Sequence, residues 1–422
     1  MAGAEEGPQD QGAGRRLWRG RDYRAWFIGD TFSQAGLFIG IFAFSLLAFH
    51  VTGDTATAGL VGAVSALSQG LSTLPGGYLA DRVDRRRLLI LAGLSASIVY
   101  GALAVLAFMD LLSTVSLLVF AAVGGLVGGI FATITDVVLP QIVTKDLLPS
   151  ASAANQSRDA AIQLGASPLS GLLFGLAPAL PFFVTSILRL GQAGAGAALR
   201  ADLRPQPGEG SSPDDVALSA GLRWLVRWAQ PRTLILLVLG VNFALGATGM
   251  AILLNQQQIG TPPWQIGLIQ TVQGVGVLLG GLALGALTRT LTGGRIIRLS
   301  LIIIGIAFLA VSLTQNVWAT AALALLASLP LIPLNAMQGS FVALLIPDRI
   351  RGRVLSIEGL ATSVAGAIGP AVAGLLLKHG GYVVAILVPV GVFVVLLLVS
   401  LVSRAVSSVP MQGEFDRIQP LE

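Results

Sequence analysis

Twelve long apolar segments run through this 422-residue chain, and they constrain its fold more than any other feature. Each is near or above the ~20 residues that a helix needs to cross about 30 Å of hydrocarbon. Only 11% of the residues are charged and 54% are hydrophobic, more apolar surface than a soluble core of this size could bury. The sequence therefore predicts an all-α integral membrane protein whose twelve spans lie at residues 25–48, 56–79, 87–108, 114–138, 154–177, 180–200, 233–254, 264–287, 296–314, 317–345, 355–377 and 381–403.

The basic residues fall almost entirely on one side of this predicted topology. Of the 26 Lys and Arg residues, 24 lie before span 1, after an even-numbered span or in the C-terminal tail. Arg189 lies within span 6, and Lys378 alone follows an odd-numbered span. Because cytoplasmic segments carry the excess of Lys and Arg, we expect a multi-pass protein of a bacterial-type inner (cytoplasmic) membrane with both termini in the cytoplasm.

The polar segments divide the chain into five predicted regions. A basic stretch from Arg15 to Arg24 interleaves with aromatic residues, which favours an interfacial segment over RNA binding, so no nucleic-acid partner is expected. Leu218, Leu222 and Leu225 recur at helical spacing, as in a helix that lies on the inner leaflet, although partner binding is an alternative. The predicted regions are a cytoplasmic tail with the interfacial segment (1–24), a six-helix bundle (25–200), a linker with an amphipathic helix (201–232), a second six-helix bundle (233–404) and a cytoplasmic tail (405–422).

The two halves of the chain repeat each other. Gly77 to Asp81 has a counterpart 204 residues later in Gly281 to Gly285, although the acid is lost there. A repeat of about half the chain, between halves with an even number of helices, is typical of two parallel six-helix bundles around a central cavity.

The loop after span 2 combines glycine, acids and arginines at a membrane surface. Small residues let two helix ends approach closely, and the acids can accept hydrogen bonds from a helix N-terminus. A solvated positive-inside loop would need no such spacing. The candidate loop and gate residues in this stretch are Gly77, Asp81, Arg82, Asp84, Arg85 and Arg86.

This loop resembles the signature between helices 2 and 3 of the major facilitator superfamily. Its form Asp-Arg-x-Asp-Arg-Arg is similar to that of the drug:proton antiporter branch with macrolide-efflux and enterobactin-exporter proteins, and Asp84 stands where many members have glycine. The resemblance implies a major facilitator fold of two pseudo-symmetric six-helix bundles. It further implies that Asp81 docks at the start of helix 11 and that Arg85 pairs with an acid at the end of helix 4, where Asp136 stands.

Spans 5 and 11 partly resemble the Gly-Pro signature of antiporters in the same superfamily, whereas span 4 lacks the arginine of another common signature. Proline removes a backbone hydrogen bond and glycine permits close helix crossing, so these residues are candidates for hinges as well as for plain packing. The candidate residues are Pro168, Gly171, Gly366, Gly369, Pro370 and Gly374.

Ionisable residues inside a membrane are costly and are functional candidates by default. Arg189 lies near the middle of span 6, and we expect it to face the cavity, where it would hold an anionic substrate or pair with an acid. Asp136 and Glu358 have depths that suit a cytoplasmic gate. Asp30 is the candidate proton carrier because it is the acid deepest in a cavity-lining span, with a permanent salt bridge as the alternative.

Neutral polar residues at similar depth predict a wide, mostly apolar pocket for amphipathic organic molecules. Any single one is more often a helix-packing hydrogen bond than a ligand contact. The cavity candidates, Arg189 included, are Gln34, Gln69, Arg189, Asn242, Gln270, Gln273, Asn335 and Gln338.

An enzyme is not expected, because the sequence shows no zinc-type cluster, nucleotide-binding loop or serine nucleophile motif, and it has no cysteine and two histidines. We expect no cofactor or metal, a proton gradient as energy source, and a monomer in contact with membrane lipid. The predicted function is export of drug, macrolide or siderophore-like molecules by alternating access. A lipid or lysolipid translocator, facilitated uptake of a small solute and a transporter-derived receptor are the alternatives.

Overall fold

A computed structural model describes residues 16–204 and 218–421, which are helical and contain no β-strand. A short helical turn at residues 16–19 precedes the first long helix. The helices that follow are α1 Arg21–Thr52, α2 Thr55–Ala80, α3 Arg85–Phe108, α4 Thr114–Ile130, α5 Ile134–Ile142, α6 Leu148–Leu176, α7 Leu180–Ala198, α8 Leu218–Arg227, α9 Ala229–Gln258, α10 Pro263–Thr290, α11 Gly293–Val311, α12 Val317–Ser328, α13 Leu331–Leu345, α14 Arg351–Val402 and α15 Arg404–Ser407.

Every predicted span corresponds to helix, and eight segments of the described chain are long and apolar enough to cross a membrane. The last of these, Asp348–Val402, contains the two predicted spans 355–377 and 381–403. They are separated at Gly381, whose φ of 75° lies in the left-handed region that favours glycine. The last two predicted spans are therefore separated by a single residue, Gly381, with a non-helical backbone.

Two of the predicted spans are broken in the middle rather than continuous. Span 4 divides into α4 and α5 at residues 131–133, after the glycine pair Gly128-Gly129. Span 10 divides into α12 and α13 at residues 329–330. Pro330 explains the second break, because a proline has no N–H for the preceding turn and its ring clashes there.

The two breaks confirm the internal repeat. A Cβ at Gly76 of α2 would collide with the backbone of Ile130, at the end of α4. Gly280 of α10, 204 residues further along the chain, lies in the same way against the backbone of Leu329, at the end of α12. In each half of the chain, a glycine in the second span thus leaves room for the backbone at the break in the fourth span.

The helices form two compact units whose boundaries cut through α1 and α2. The first unit contains the chain up to Phe44 and Ser68–Ser212, and the second contains Ser45–Leu67 and the chain from Pro213 onward. The segment 45–67, placed by the sequence prediction in a contiguous first bundle, thus groups with the C-terminal helices.

In the first unit, α3 and α7 share the most extensive contact. Gly93 of α3 makes this possible, since a Cβ there would meet the backbone of Arg189 and Ala193. An aromatic cluster covers the beginning of α1, where Tyr23 and Trp26 are buried and stack with their centroids 6.1 Å apart. Gly29 of α1 lies against α7, since a Cβ there would be 2.8 Å from the Ala195 side chain, so α1 and α7 are neighbours.

In the second unit, α9 and α14 share the most extensive contact, and the segment 45–67 packs against α14. Gly59 of α2 has no room for a Cβ because Pro370 and Gly374 of α14 lie against it. Thr55 Oγ1 donates a hydrogen bond to the carbonyl of Gly374 at 3.0 Å. We call this contact of residues 55–59 with 370–374 the glycine seam.

The C-terminal tail is also part of the second unit. The N–H groups of Gly293 and Gly294, which begin α11, donate to the carbonyls of Pro410 and Val409 at 2.9 and 3.2 Å. Farther along, Leu421 N–H donates to Leu345 at 2.9 Å, while its carbonyl accepts from Trp224 Nε1 of the linker helix α8 at 3.0 Å. The tail thus links α11, α13 and α8.

Candidate functional site

An ion pair between α1 and α6 lies inside the first unit. Asp30 is in the third turn of α1, and its Oδ2 accepts a short hydrogen bond from Arg158 Nη2 in the third turn of α6. The two side chains are only 6% and 8% exposed. Burying two charges costs several kcal/mol per ion (order of magnitude), which close pairing and further hydrogen bonds must offset.

Asp159 and Phe27 are among the further groups that hold the Arg158 guanidinium. Asp159 Oδ1 accepts from Nε at 3.0 Å and from Nη2 at 2.8 Å, and its side chain is 40% exposed. The Phe27 ring lies 4.8 Å from the guanidinium carbon, within the range of a cation–π contact. Arg158 is therefore shared by a buried carboxylate and a partly exposed one.

The second oxygen of Asp30 is differently placed. Oδ1 is buried and has no hydrogen-bond partner among the described residues. Asp30 borders a small cavity that is also lined by Trp26, Thr135 and Gln192. An unpartnered carboxylate oxygen beside a cavity is a suitable acceptor for a proton.

The sequence prediction included Asp30 but missed Arg158 and Asp159. It began span 5 at residue 154, which left Arg158 only four residues inside the span, and it counted Arg158 with the basic residues of the preceding loop. The helix in fact begins at Leu148, with a proline in its first turn, which brings Arg158 two turns further into α6. That proline was the available signal for the earlier helix start.

Arg189 is held between α7 and α1. Its Nη1 donates to Ser33 Oγ at 2.8 Å and to Gln192 Oε1 at 3.0 Å. Gly36 leaves space for the side chain, since a Cβ there would lie 3.4 Å from Nε. Nε is buried with no hydrogen-bond partner among the described residues. The predicted cavity-facing and substrate roles of Arg189 stay predictions, and its observed contacts join two helices of the same unit.

The signature loop connects α2 to α3. Asp84 caps α3, where its Oδ1 accepts from Arg86 N–H at 2.9 Å, and Arg86 Nη2 donates to the carbonyl of Ala197 at 2.6 Å. Of the two neighbouring glycines, Gly76 makes a close helix approach, against the backbone of Ile130, whereas nothing lies within 4 Å of a Cβ at Gly77.

The other gate candidates have varied surroundings. Asp81 and Arg82 are exposed, and Arg82 stacks 4.0 Å from the centroid of the Tyr78 ring. Arg85 is buried, and its Nε donates to the Ala80 carbonyl at 3.4 Å. Asp136 is exposed in α5, and Glu358 is partly buried in α14. The pairing of Arg85 with Asp136 and the docking of Asp81 stay predictions.

Two of the neutral cavity candidates donate hydrogen bonds to backbone carbonyls, one to a neighbouring helix and one within its own helix. Gln338 of α13 is buried and donates to the Leu234 carbonyl of α9, and Asn242 donates to the carbonyl of Val238 one turn earlier. Gln34, Gln69 and Gln273 are partly buried, whereas Gln270 and Asn335 are exposed. The structure distributes the candidates over both units, and their roles in a substrate pocket stay predictions.

The proline and glycine candidates separate into tight and open positions. A Cβ at Gly369 would meet the backbone of α9 at Ala247, and Gly374 belongs to the glycine seam with Pro370. Nothing lies within 4 Å of a Cβ at Gly366. In α6, Gly171 is buried and Pro168 is partly buried. Gly369 and Gly374 are packing positions, whereas the hinge role of the set is untested.

Among the described residues, no group of three or more His, Cys, Asp or Glu side chains could hold a metal ion. Residues 18–362 match the sequence profile of the transmembrane secretion effector family of major facilitator proteins. No curated protein matches the chain in sequence.

Solved transporters share the fold at low sequence identity. A mutant of the nucleoside transporter NupG superposes with a TM-score of 0.77 at 11% identity, covering 89% of this chain and 98% of NupG. A bacterial homologue of the iron transporter ferroportin gives 0.69 at 18% identity, covering 89% and 98%. A bacterial homologue of the human lysosomal transporter Spinster gives 0.68 at 16% identity, covering 92% and 97%. At such identities the similarity shows the fold alone.

Proposed function

Because this chain belongs to the transmembrane secretion effector family of the major facilitator superfamily, we propose that it exports amphipathic small molecules in exchange for protons by alternating access. The family consists of membrane transporters, and the solved structures with this fold are transporters rather than enzymes. To this assignment as a transporter we add three proposals: coupling to protons, transport out of the cell, and the class of substrate.

The buried pair of Asp30 and Arg158 carries the proposal. A proton that binds to Asp30 Oδ1 neutralises the carboxylate and weakens its bond to Arg158, so the tie between α1 and α6 loosens. A carboxylate that is paired in one conformation and more accessible in another binds its proton with different affinity in the two, which couples proton binding to the conformational change.

The family description, with its reference to secretion, supports the outward direction. In the first unit, Gln34 and Gln69 are partly buried within predominantly apolar helices, which supports an amphipathic substrate of the drug, macrolide or siderophore type. The basic residues on one side of the topology support an inner membrane location with cytoplasmic termini.

The proposal is tested by proton movement in inverted membrane vesicles that carry the protein. Respiration acidifies the interior, and a macrolide, a catecholate siderophore, a cationic dye or a lysolipid is then added. An exported substrate should dissipate the pH gradient in wild type and not in Asp30→Asn. Asp202→Asn is the matched control, since that carboxylate is exposed and its ion pair with Arg204 is long, at 4.0 Å.

The outcomes separate the candidate functions. A response that is lost in Asp30→Asn and kept in Asp202→Asn supports proton antiport. No response to any compound, with the protein shown to be folded, contradicts the proposal and favours facilitated uptake. A lysolipid that changes leaflet without proton movement favours lipid translocation.

A further inference from the structure

Arg158 has more than one carboxylate, and the two differ in their surroundings. Asp30 reaches it from α1 and is 6% exposed, whereas Asp159 is its neighbour in α6 and is 40% exposed. Asp159 uses one oxygen for two guanidinium N–H groups, at 3.0 and 2.8 Å. This second pairing is confined to α6 and does not depend on α1.

The second pairing matters because an unpaired buried charge is strongly destabilising. Removal of one partner of a buried ion pair leaves the other charge uncompensated in surroundings that solvate it poorly. If Arg158 had only Asp30, each proton that neutralised Asp30 would leave a buried guanidinium without a carboxylate. Asp159 supplies a second anion at hydrogen-bonding distance.

We propose that Asp159 is a positioning residue that retains Arg158 in α6 while Asp30 carries the proton. The inference rests on the proposed proton coupling and extends it to a carboxylate that binds Arg158 within α6. In the proton step, H⁺ from water forms an O–H bond at Asp30 Oδ1, and the charged Arg158 guanidinium stays paired with Asp159. On release the O–H bond breaks, the proton returns to water, and Asp30 again pairs with Arg158.

Other charged or titratable groups around the pair belong to three packed elements. Asp136 of α5 and Arg189 of α7 lie close enough for their charges to act on Asp30. Tyr23 of α1 is near Arg158. The group thus contains three carboxylates, those of Asp30, Asp136 and Asp159. Of these, Asp30 and Asp159 hydrogen-bond the Arg158 guanidinium.

The first test is a double-mutant cycle on thermal stability in detergent. Asp30→Asn and Asp159→Asn each leave Arg158 one carboxylate, so each should lower the melting temperature modestly. The melting temperature of the double variant should be about 4 °C lower than the sum of the two single losses predicts. Adding Arg158→Met to the double variant should restore most of this loss, because the stranded charge is then absent. Additive losses would overturn the inference.

The second test measures protonation of Asp30 without any substrate. N,N′-dicyclohexylcarbodiimide reacts with protonated carboxyl groups in apolar surroundings, and mass spectrometry of the labelled peptide gives the extent of reaction at each pH. In Asp159→Asn, protonating Asp30 strands Arg158, so half-maximal labelling should move to more acidic pH by about one unit, equivalent to a tenfold change in proton affinity. Asp159→Glu should restore the wild-type profile, and Asp30→Asn should abolish labelling at that residue.

An unchanged labelling profile in a folded Asp159→Asn protein would overturn the positioning role. These two readouts do not require transport, so the proposed function can fail in the vesicle assay while the role of Asp159 is confirmed. The opposite result is also distinguishable. Wild type can exchange protons for substrate in the vesicle assay while the melting-temperature losses of Asp30→Asn and Asp159→Asn are additive, in which case only the role of Asp159 fails.

Discussion

Lys378 and Asp54 form an ion pair, with Nζ 2.9 Å from Oδ1, at the end of the glycine seam. Lys378 is the one basic residue that the sequence places after an odd-numbered span, and Asp54 stands in the short connection between α1 and α2. Asp54 also caps α2, since its Oδ2 accepts from Thr57 N–H at 3.0 Å and from Thr57 Oγ1 at 2.7 Å. One carboxylate thus begins α2 and joins it to α14.

The first prediction concerns acid stability. The Thr57 hydroxyl bond, followed by the bond to Lys378, lowers the pKa of Asp54 from 3.8 to about 2. A lowered pKa means that the stabilisation is present above the unfolded value and is lost as the pH falls through the folded one. The contribution of Asp54 should therefore disappear between about pH 4 and pH 2, as measured by the melting temperature in detergent against pH.

Asp54→Asn isolates this contribution. The variant keeps a side-chain acceptor for the cap but removes the charge, so its melting temperature should be lower than wild type at pH 6 and equal to it near pH 2. Lys378→Gln removes the ion pair while keeping the Thr57 bonds, and it should show a smaller loss. A constant difference between wild type and Asp54→Asn across this range would contradict the assignment.

The second prediction distinguishes two glycines of α14. Gly374→Ala places a methyl group against the backbone of Thr55 in the glycine seam, and it should destabilise the protein by about 1–3 kcal/mol, the usual cost of overpacking. Gly366→Ala is the matched control, because the space around its Cβ is open and alanine favours helix. Equal melting temperatures for the two variants would mean that the seam relaxes at little cost.

The third prediction concerns Arg189. Because its guanidinium joins α7 to Ser33 of α1, Arg189→Met should reduce stability by about 1.5–3 kcal/mol, the range for hydrogen bonds to charged groups. Arg189→Lys should restore only part of it, since an ammonium cannot reproduce the fork of the guanidinium. Leu190→Met, on the exposed side of the same helix, is the control. A variant of normal stability whose transport shows only a raised KM would instead indicate a substrate contact.

The fourth prediction concerns the tail. Removal of residues 409–421 deletes the carbonyl that accepts from Trp224, the partners of Gly293 and Gly294, and the Phe415 ring, whose centroid lies 6.2 Å from that of Phe341. The linker helix α8 should then be cleaved faster by trypsin at Arg223 and Arg227 than in wild type. Gly294→Ala should act in the same direction, because its methyl group would meet the carbonyl of Val406. Unchanged digestion rates would show that α8 is held without the tail.

Apolar length was sufficient to predict all twelve spans, each of which corresponds to helix, because the membrane imposes that length on the sequence. It did not predict the breaks within spans 4 and 10 or the short helix α15. The glycine repeat was visible as well, although its structural meaning lies in contacts with Ile130 and Leu329 that no local pattern specifies. The division of the chain into units at Phe44 and Ser68 depends on packing between distant segments and left no signal in composition.

Of the ion pair at the candidate site, the sequence predicted Asp30 but not its partner Arg158. Asp30 stands out because an acid among apolar residues is rare, whereas Arg158 follows a polar stretch and resembles one more basic residue of a loop. Partners such as Gln338 with the Leu234 carbonyl are equally hidden, since a backbone acceptor has no sequence signature. Depth in the membrane can be read from sequence, but pairing between helices depends on their rotation and neighbours.

The hydrogen bond from Thr55 to Gly374 joins residues 319 positions apart in the chain. At a synthesis rate of 5–20 residues per second, about 15 to 60 seconds separate the appearance of the two at the ribosome. During that interval the segment 45–67 is already in the membrane, while the helix that covers Gly59 and the lysine that neutralises Asp54 have yet to be made. Assembly of the second unit is therefore completed only after α14 has been inserted, which makes the first hairpin of the chain one of the last to reach its final contacts.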